Sequence, residues 1–429
     1  MSVEPAAELG VEARAVRTEP RLWNLNFFLL WQGQLISALG DAVYAIALGF
    51  WVLNKTGSTA LMGTLMAAST LPRIVIAPSA GVLVDRTSRK WIIVLMDALR
   101  GVAVVLVAIA AYSGLLEVWM VFAAGIIISA GSAFFGPAVG SAIPDIVPAR
   151  SIVQANSAFA MLQTGSGVVG SAAGGFLFGL LGAPLMFLAN GISYLFAALA
   201  TMPIRVPAVR HAVSEFKFFR DLATGLRFTW QYRGIRYMIL TAAALNFFAV
   251  IGIMLLLPLF QRTPGLGSGP YGVLMAGMTG GMFAGFLLTS VVRFDYSRRF
   301  LVFYLCGMVS MGLAALVPVW LNLVPMVALV VLFGAMNAVV NSFLSATMQT
   351  AVPQDLRGKV FSLVGTVAGG LTPIAFAAGG ALAEVLPLRV LMSASFLVTL
   401  ICFAPLAFSA QVRRLINFEP GVNNLEDIR

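Results

Sequence analysis

Four ionisable side chains interrupt long apolar runs of this sequence: Asp41, Arg73, Asp97 and Arg100. A carboxylate in apolar surroundings can take up and release a proton, and a guanidinium group is the cation that neutralises it. Asp97 and Arg100 are three residues apart, a spacing that places both on one helix face, where they can pair. Asp41 has no oppositely charged residue at such a spacing, so its charge needs another explanation.

Two interpretations of Asp41 stay open. Counting about 1.5 Å per residue along a helix places Asp41 and Arg73 at similar depth, so the two can pair between helices. Alternatively, Asp41 is a group that carries a proton, and we favour this role for Asp41, with Asp97 as a second carboxylate for proton coupling. Arg73 and Arg100 are then their charge partners. The single histidine lies outside the apolar runs, so a carried proton requires a carboxylate.

Amides are also scattered through the apolar runs. Such groups either line a cavity or form hydrogen bonds between helices, and both interpretations stay open. They are Gln32, Gln34, Gln163, Asn190, Asn246, Asn337 and Asn341.

The elements that position these residues follow from composition. Of 429 residues, 60% are hydrophobic and only 10% are charged, whereas soluble proteins are about 25% charged. The sequence therefore predicts an all-α integral membrane protein. A helix needs about 20 apolar residues to cross the bilayer, and we expect twelve such helices. They begin near Asn24, Thr59, Trp91, Val118, Ser157, Ala183, Tyr237, Tyr271, Phe300, Leu323, Phe361 and Leu391.

Basic residues occupy alternate connections between these segments. Sixteen lie in the even-numbered connections and three (Lys55, Arg262 and Arg389) in the odd-numbered ones. Because cytoplasmic loops are rich in Lys and Arg, both termini are expected in the cytoplasm, with the chain in the cell (inner or plasma) membrane. The net charge of +10 reflects this bias and is not interpreted as a nucleic-acid surface.

The two halves of the chain repeat one another. Val147-Pro148 recurs as Val352-Pro353, and the AAGG that ends at Gly175 recurs as the AAGG that ends at Gly380, both at the same offset in sequence. This offset also relates Asp41 to Asn246. An offset of six helices keeps orientation, so we predict two six-helix parallel pseudo-repeats with a substrate site between them.

These patterns divide the chain into five parts. Residues 1–22 form an N-terminal tail, 23–204 and 237–410 form the six-helix bundles, and 411–429 form a C-terminal tail. The segment 205–236 joins the bundles, and its aromatic and aliphatic residues recur at mostly helical spacing among arginines. We expect a helix there that lies on the membrane surface.

Charge is concentrated in the connection GVLVDRTSRK, between the second and third helices. Gly81, Asp85, Arg86, Arg89 and Lys90 match the G-x-L-x-D-R-x-G-R-K signature of the major facilitator superfamily, with Ser88 where the second glycine is usual. Three further stretches resemble the macrolide-efflux and siderophore-export type of multidrug:proton antiporter: LWQGQLISALGDAVYAIALGFWVLNKTGS, VVGSAAGGFL and VPQDLRGKVFS. The similarity runs from Trp23 to about Ala410.

The resemblance implies a function. It implies a secondary active transporter of the major facilitator fold that exports lipophilic or amphipathic small molecules, such as macrolide-like drugs, in exchange for protons. It also implies that Asp85 and Arg86 latch the outward-open state; orientation alone is the other explanation of the loop. A dedicated lysophospholipid or siderophore carrier, and a membrane receptor that transports nothing, remain alternatives.

Other classes of protein are not indicated. No G-x-x-x-x-G-K-[ST] loop is present for ATP, and the sequence indicates neither an enzyme nor a cofactor or metal site. The expected partners are the lipid bilayer, a small-molecule substrate and protons, with a monomeric chain. Small residues at Gly170, Gly174, Gly175, Gly379 and Gly380 predict close helix packing.

Overall fold

The computed structural model describes residues 22–205, 218–292 and 294–419, and this part of the chain is almost entirely helical. The first half and the connection contain α1 (Leu25–Thr56), α2 (Thr59–Ala68), α3 (Leu71–Arg86), α4 (Arg89–Tyr112), α5 (Val118–Ile146), α6 (Ile152–Thr201) and α7 (Phe218–Gln231). The second half contains α8 (Arg233–Met254), α9 (Leu256–Arg262), α10 (Ser268–Val291), α11 (Tyr296–Leu316), α12 (Leu323–Ala351), α13 (Gln354–Gly370), α14 (Thr372–Val385), α15 (Leu388–Phe403) and α16 (Ala410–Ile416).

Eleven described segments are long and apolar enough to cross a membrane. One of them, Ala149–Thr201, is 53 residues long, and a helix that crosses the bilayer once needs only about 20. Its helix α6 is broken at Gly182, whose φ of 69° is left-handed and therefore favours glycine. This segment thus supplies the fifth and sixth spans, which gives twelve spans in all.

Several spans consist of two helices. Span two is α2 followed by α3, and span eleven is α13 followed by α14; the second helix of each has a proline in its first turn (Pro72 and Pro373). Proline fits there because the first amides of a helix have no partner within it. Span seven is α8 followed by α9, and it begins at Arg233, slightly before the predicted start at Tyr237.

The internal repeat is visible in the helix bounds. Helices α5 and α12 are each 29 residues long, and the bounds of α12 are the repeat counterparts of those of α5, with Leu323 matching Val118 and Ala351 matching Ile146. Helix α15 begins at Leu388, the counterpart of Ala183, which is the first residue beyond the break in α6. The structure therefore contains the predicted two six-helix halves.

Helix α16 belongs to the second bundle. We predicted a tail from residue 411 onward, but Val412, Leu415 and Ile416 are buried in the core of the second half. The sequence-based boundary was wrong because the helix is too short to register as an apolar segment. Predicted tail residues 1–21 and 420–429, and residues 206–217 of the connection, lie outside the described part.

The packing of the core differs between the two ends of the bundle. The end that carries Arg89, Lys90 and Arg150 is called the basic end here, and the other is the outer end. At the outer end one hydrophobic cluster contains residues of both halves, for example Leu53, Met62, Leu257 and Tyr271. Toward the basic end each half has its own cluster. The halves are thus packed together at the outer end and separate toward the basic end.

Candidate functional site

Asp41 lies at the middle of α1 and faces α6. The Tyr194 hydroxyl of α6 donates a hydrogen bond to Asp41 Oδ1, and Asn190 Nδ2 approaches the same oxygen at 3.5 Å. Tyr194 and Asn190 are fully buried, whereas Asp41 is only half-buried. The hydrogen bonds that Asp41 accepts from α6 thus come from neutral donors.

Asp97 and Arg100 form the predicted ion pair on one face of α4. Asp97 is completely buried, and its second oxygen accepts a hydrogen bond from Gln34 Nε2 at 3.1 Å. Arg100 donates to Ser132 Oγ at 3.3 Å, and its guanidinium carbon lies 4.4 Å from the centre of the Tyr194 ring. Tyr194 therefore contacts both Arg100, through its ring, and Asp41, through its hydroxyl.

These contacts place two carboxylates and one guanidinium group in a single buried network, formed by Asp41, Asp97 and Arg100 across α1, α4 and α6. With both carboxylates ionised, the three groups carry a net charge of −1. An uncompensated charge inside a membrane protein is costly. Uptake of one proton makes the three groups neutral, so the site can exchange a proton.

Arg73 does not take part in this network. The structure contradicts the alternative in which Arg73 pairs with Asp41, because Tyr194 and Asn190 approach Asp41 from α6 instead. The Arg73 side chain is exposed, and its backbone amide donates to Ser129 Oγ at 3.1 Å. Similar depth was not enough to predict a contact, because α3 packs mainly against α5.

The second half carries no such charges at the corresponding positions. Asn246 replaces Asp41 and donates to Thr372 Oγ1 at 3.5 Å. The repeat counterparts of Asn190 and Tyr194 are Ser395 and Thr399, which are both buried and hydrogen-bonded to their own helix. The candidate proton site is therefore confined to the first half.

The seven predicted amides divide into several groups. Gln34 and Asn190 belong to the charged network, and Asn246 contacts span eleven. Asn341 donates to the side-chain oxygen of Asn337, one turn before it, at 2.8 Å. Gln163 is exposed and Gln32 is half-buried. The structure thus assigns Gln34 and Asn190 to interhelical contacts and leaves Gln163 and Asn341 accessible.

The charged loop between α3 and α4 is tied to span four. Arg89 forms an ion pair with Asp145 near the end of α5 and donates to the Ser141 carbonyl at 2.8 Å. Lys90 lies 5.4 Å from the Trp91 ring centre, and Arg86 is exposed. Gly81 has open space where a Cβ would project. The Asp85 side chain lies outside the described part, so its latch role stays a prediction.

Three of the predicted glycines pack against another span of their own half. Gly174 approaches Ile46 of span one, where a Cβ would lie 2.7 Å from Ile46 Cδ1, and Gly170 lies against Ala42 in the same way. Gly379, the counterpart of Gly174, packs against Ile251 of span seven, with the nearest side-chain carbon at 3.1 Å from such a Cβ.

The next residue in each repeat joins the two halves. A Cβ on Gly175 would lie 2.8 Å from Gly272 Cα, and a Cβ on Gly380 would lie 3.0 Å from Gly63 Cα. Both approaches are backbone to backbone, so no side chain can yield. Spans five and eight, and spans two and eleven, therefore touch directly where these glycines lie.

Hydrogen bonds also join the halves at the outer end. Glu384 Oε1 of α14 accepts from Ser58 Oγ at 2.7 Å, from Thr59 Oγ1 at 3.1 Å and from the Ala60 amide at 2.9 Å. Glu384 thus binds the N-terminus of α2 from the other half. Nearby, Gln261 bonds Asn54, and Arg262 donates to the Gly57 carbonyl at 2.6 Å.

A cleft opens between the halves toward the basic end. Gly165 lies two turns before Ala172, which contacts Gly272, on the same face of α6. Gly369 lies at the end of α13, just before the break at Leu371, and Phe376, which contacts Gly63, lies in α14 beyond that break. A Cβ at Gly165 or Gly369 would meet no atom within 4 Å. Contact between the halves therefore becomes sparser toward the basic end, where α3 and α13 still approach one another.

Sequence reasoning missed three residues of this arrangement. Tyr194 gave no signal beyond a hydroxyl in an apolar run, and its partner is 153 positions away. Glu384 is an acid near the end of a span, and we did not count it among the intramembrane charges. Asp145 follows Pro144 at the end of span four and was not connected with Arg89. An inventory of every acid near a span end would have found Glu384 and Asp145.

Comparison with known proteins gives consistent results. Residues 21–419 match the family described as "Transmembrane secretion effector". The chain is 26% identical to macrolide efflux protein A of Streptococcus pyogenes over 359 residues, covering 82% of this chain and 88% of that protein. It is 27% identical to the multidrug efflux pump Tap of Mycobacterium tuberculosis over 368 residues, covering 82% and 84%.

Solved structures share the fold. A bacterial homologue of the iron transporter ferroportin, in its inward-facing state, superimposes with a TM-score of 0.68 at 18% identity, covering 88% of this chain and 98% of that one. An inward-facing, unoccupied bacterial homologue of the lysosomal transporter Spinster gives a TM-score of 0.64 at 17% identity, covering 92% and 97%.

Proposed function

Because the chain belongs to the transmembrane secretion effector family of the major facilitator superfamily, and is thus a multi-pass membrane transporter and not an enzyme, we propose that it exports small molecules in exchange for protons. The proposed substrates are lipophilic or amphipathic compounds, and the proposed mechanism is alternating access. The names of the relatives, macrolide efflux and multidrug efflux, support export.

The observation that carries proton coupling is the charge count of the buried network. The network contains one guanidinium group, that of Arg100, which pairs directly with Asp97 and is linked to Asp41 through Tyr194. The ionised network has a charge of −1, and binding of one proton removes it. A neutral network is buried inside the membrane protein at a lower free-energy cost than a charged one. Protonation therefore favours one conformational state of the transporter over the other.

Asp41 is the better candidate for the proton carrier. Asp97 is completely buried and is already neutralised by Arg100 and bonded by Gln34. Asp41 is partly accessible and receives hydrogen bonds from Tyr194 and Asn190, which are neutral. A proton can therefore reach Asp41 without breaking an ion pair.

The closed outer end and the open basic end support alternating access. Basic loops favour the cytoplasm, so we assign the basic end and both termini to the cytoplasmic side of the cell membrane. The structure then corresponds to an inward-open state, in which substrate enters the cleft from the cytoplasm. Opening the outer end requires separation of Glu384 from Ser58 and of Gly380 from Gly63.

Energetics permit export with one proton per substrate. One charge moving through 100 mV provides about 2.3 kcal/mol, which corresponds to a roughly fortyfold to fiftyfold gradient of a neutral substrate. Efflux of that strength lowers the internal concentration of a drug enough to matter for resistance.

The test is counterflow and pH-driven transport by the purified chain in proteoliposomes. The panel contains erythromycin, a lipophilic dye, a lysophosphatidylcholine and a ferric siderophore. Accumulation of the drug or dye that depends on an imposed pH gradient supports the proposal. Transport of only the lysophospholipid or the siderophore supports a dedicated carrier, and transport of none by folded protein supports a receptor.

A further inference from the structure

A cavity of about 180 Å³ lies within the second half, between α8, α12 and α13. Its wall is mostly apolar and includes Met238, Ile239, Met348 and Val360, whose side chains are almost completely buried. Apolar cavities of about 150 Å³ in proteins stay dry and admit a molecule of the size of benzene. This cavity can therefore hold one apolar ring.

We infer that the cavity adjoins the cleft between the halves, because α13, which forms part of its wall, is the helix that approaches α3 of the first half. Phe361 is part of its wall and is 40% exposed. At Gly365, one turn further along α13, a Cβ would meet no atom within 4 Å. A ring attached to a larger molecule in the cleft can therefore enter the cavity while the remainder of the molecule stays outside.

Two polar groups on α12 point into this otherwise apolar site. The Asn341 amide group donates to Asn337, which leaves its carbonyl oxygen without a donor among the described residues. The Ser345 hydroxyl accepts from Gln349 Nε2 at 3.0 Å, and its own proton has no acceptor within the described ranges. A hydroxyl group on a ligand can donate to Asn341 and accept from Ser345 together.

The first half does not offer these groups. The repeat counterparts of Asn341 and Ser345 are Gly136 and Gly140, which have no side chain to form hydrogen bonds. Conversely, the charges of the first half have no counterpart in the second. The two halves thus differ in chemistry, with a proton-exchanging network in one and an apolar cavity with a polar pair in the other.

We propose that this cavity, the Met238–Asn341–Phe361 pocket, is a substrate subsite that binds an apolar ring bearing a hydroxyl group. The proposal rests on the proposed export function and names the substrate class that it selects. Compounds with a hydroxylated ring are bound through the pocket, and compounds that lack the hydroxyl group are bound more weakly.

The experiment is photolabelling of the purified full-length chain in lipid nanodiscs. The probe is 3-(3-hydroxyphenyl)-3-(trifluoromethyl)diazirine, and the matched probe is the same compound without its hydroxyl group. We expect saturable labelling of peptides from α8, α12 and α13 by the phenol. Asn341→Leu lowers labelling by the phenol at least fivefold, while labelling by the matched probe changes less than twofold.

Two further variants test the cavity itself. Ala242→Phe fills it, because Ala242 lines the wall, and is expected to abolish labelling by both probes. Leu240→Phe adds the same ring on the same helix at a side chain that is 51% exposed, and is expected to leave labelling unchanged. Circular dichroism and thermal unfolding establish that each variant is folded.

Counterflow of the panel separates this inference from the proposed function. Suppose that the wild type transports a hydroxylated-ring compound and that Ala242→Phe transports it as fast as the control Leu240→Phe. The subsite proposal is then refuted, whereas the export function stands. Lack of saturable labelling in α8, α12 and α13 also refutes it. If labelling is found as expected but the wild type transports nothing, the export function fails and the binding site stands.

Discussion

Asp41 and Asp97 are the same residue type in the same half, but their hydrogen-bond and ion-pair partners differ. Asp97 has a cation on its own helix and an amide from Gln34, so its charge is part of the folded structure. Asp41 has a hydroxyl and an amide, both neutral. A carboxylate with neutral donors can lose its charge at a smaller cost than one that would leave a guanidinium group unpaired.

Replacement of Asp41 by Asn tests the proton-carrying role. The amide mimics the protonated carboxyl group permanently, so we expect uphill export driven by a pH gradient to be abolished, while downhill counterflow continues within about threefold of wild type. Asp41→Glu keeps a titratable group and is expected to retain part of the uphill transport. Uphill transport by Asp41→Asn would eliminate Asp41 as the carrier.

Replacement of Asp97 by Asn has a different expected result. It leaves the buried Arg100 guanidinium without its ion pair, which costs roughly 3 to 5 kcal/mol and lowers the midpoint of thermal unfolding. Asp97→Asn combined with Arg100→Gln removes both charges and is expected to recover part of that loss. If Asp97→Asn unfolds at the wild-type temperature, the pair is not structural and Asp97 becomes the alternative proton carrier.

At the scale of helices, the outer end is closed by contacts of two kinds. Gly63, Gly175, Gly272 and Gly380 permit backbones of opposite halves to touch. Glu384 then adds charge-assisted hydrogen bonds to the first turn of α2, a position where a negative charge also interacts favourably with the helix dipole. The glycine contacts depend on shape and the Glu384 contacts depend on charge, so each kind of contact can be changed by mutation without changing the other.

Glu384→Gln weakens the charged contact while keeping its shape. Since about 1.4 kcal/mol corresponds to a tenfold population change, loss of about 0.3 to 1 kcal/mol at this exposed position is expected to shift the balance toward the outward-open state by about twofold to fivefold. We introduce spin labels at residues 61 and 385 of a chain without its native cysteines. In the Glu384→Gln variant we expect a larger population of long label-to-label distances than in the parent chain. Glu117→Gln is the control, since Glu117 faces Lys55 of its own half at 4.0 Å.

Gly380→Ala tests the shape of the same contact. The added Cβ would lie 2.6 Å from the Thr59 carbonyl oxygen, so the outer end cannot close fully, and we expect a transport rate below one tenth of wild type. Gly369→Ala adds the same atom on the same span where nothing lies within 4 Å, and its transport is expected to stay near wild type. Equal rates for the two variants would show that this contact does not limit the cycle.

The sequence predicted the elements better than the contacts between them. The twelve spans, the repeat and the Asp97–Arg100 pair follow from apolar length or from spacing within one helix. Tyr194 as a partner of Asp41 and Glu384 as a partner of Ser58 depend on which helix faces meet, and these contacts join residues 153 and 326 positions apart. Helix α16 was missed because its burial is decided by the bundle and not by its own composition.

At the scale of the whole molecule, the two halves carry different chemical groups. The first half holds the charged network, and the second half holds the apolar cavity, so proton and substrate need not occupy one place. Coupling between them then requires a change in how the halves pack. In the structure the outer clusters are merged and the basic-end clusters are separate. Under the proposed alternating access, a second state reverses this arrangement and needs contacts at the basic end.

We propose that the charged loop supplies those contacts. Arg89 anchors the start of α4 to Asp145 within the first half, which leaves Asp85 and Arg86, at the end of α3, as the candidates for a contact with the second half. We expect Asp85→Asn to lower the outward-open population and reduce turnover by about tenfold, while photolabelling of the cavity stays unchanged, because a group that biases two states acts without touching the ligand.

Spin labels at residues 87 and 292 measure the basic end directly, and counterflow measures turnover on the same protein. Asp295→Asn alters the acid of the corresponding loop in the second half, whose sequence RFDYSRR departs from the signature, and is expected to have a smaller effect on both readouts. If Asp85→Asn and wild type give the same distances and the same turnover, the loop sets orientation only. If both Asp85→Asn and Asp295→Asn reduce turnover equally, the latch is symmetric, and the second half contributes as much to the closed basic end as the first.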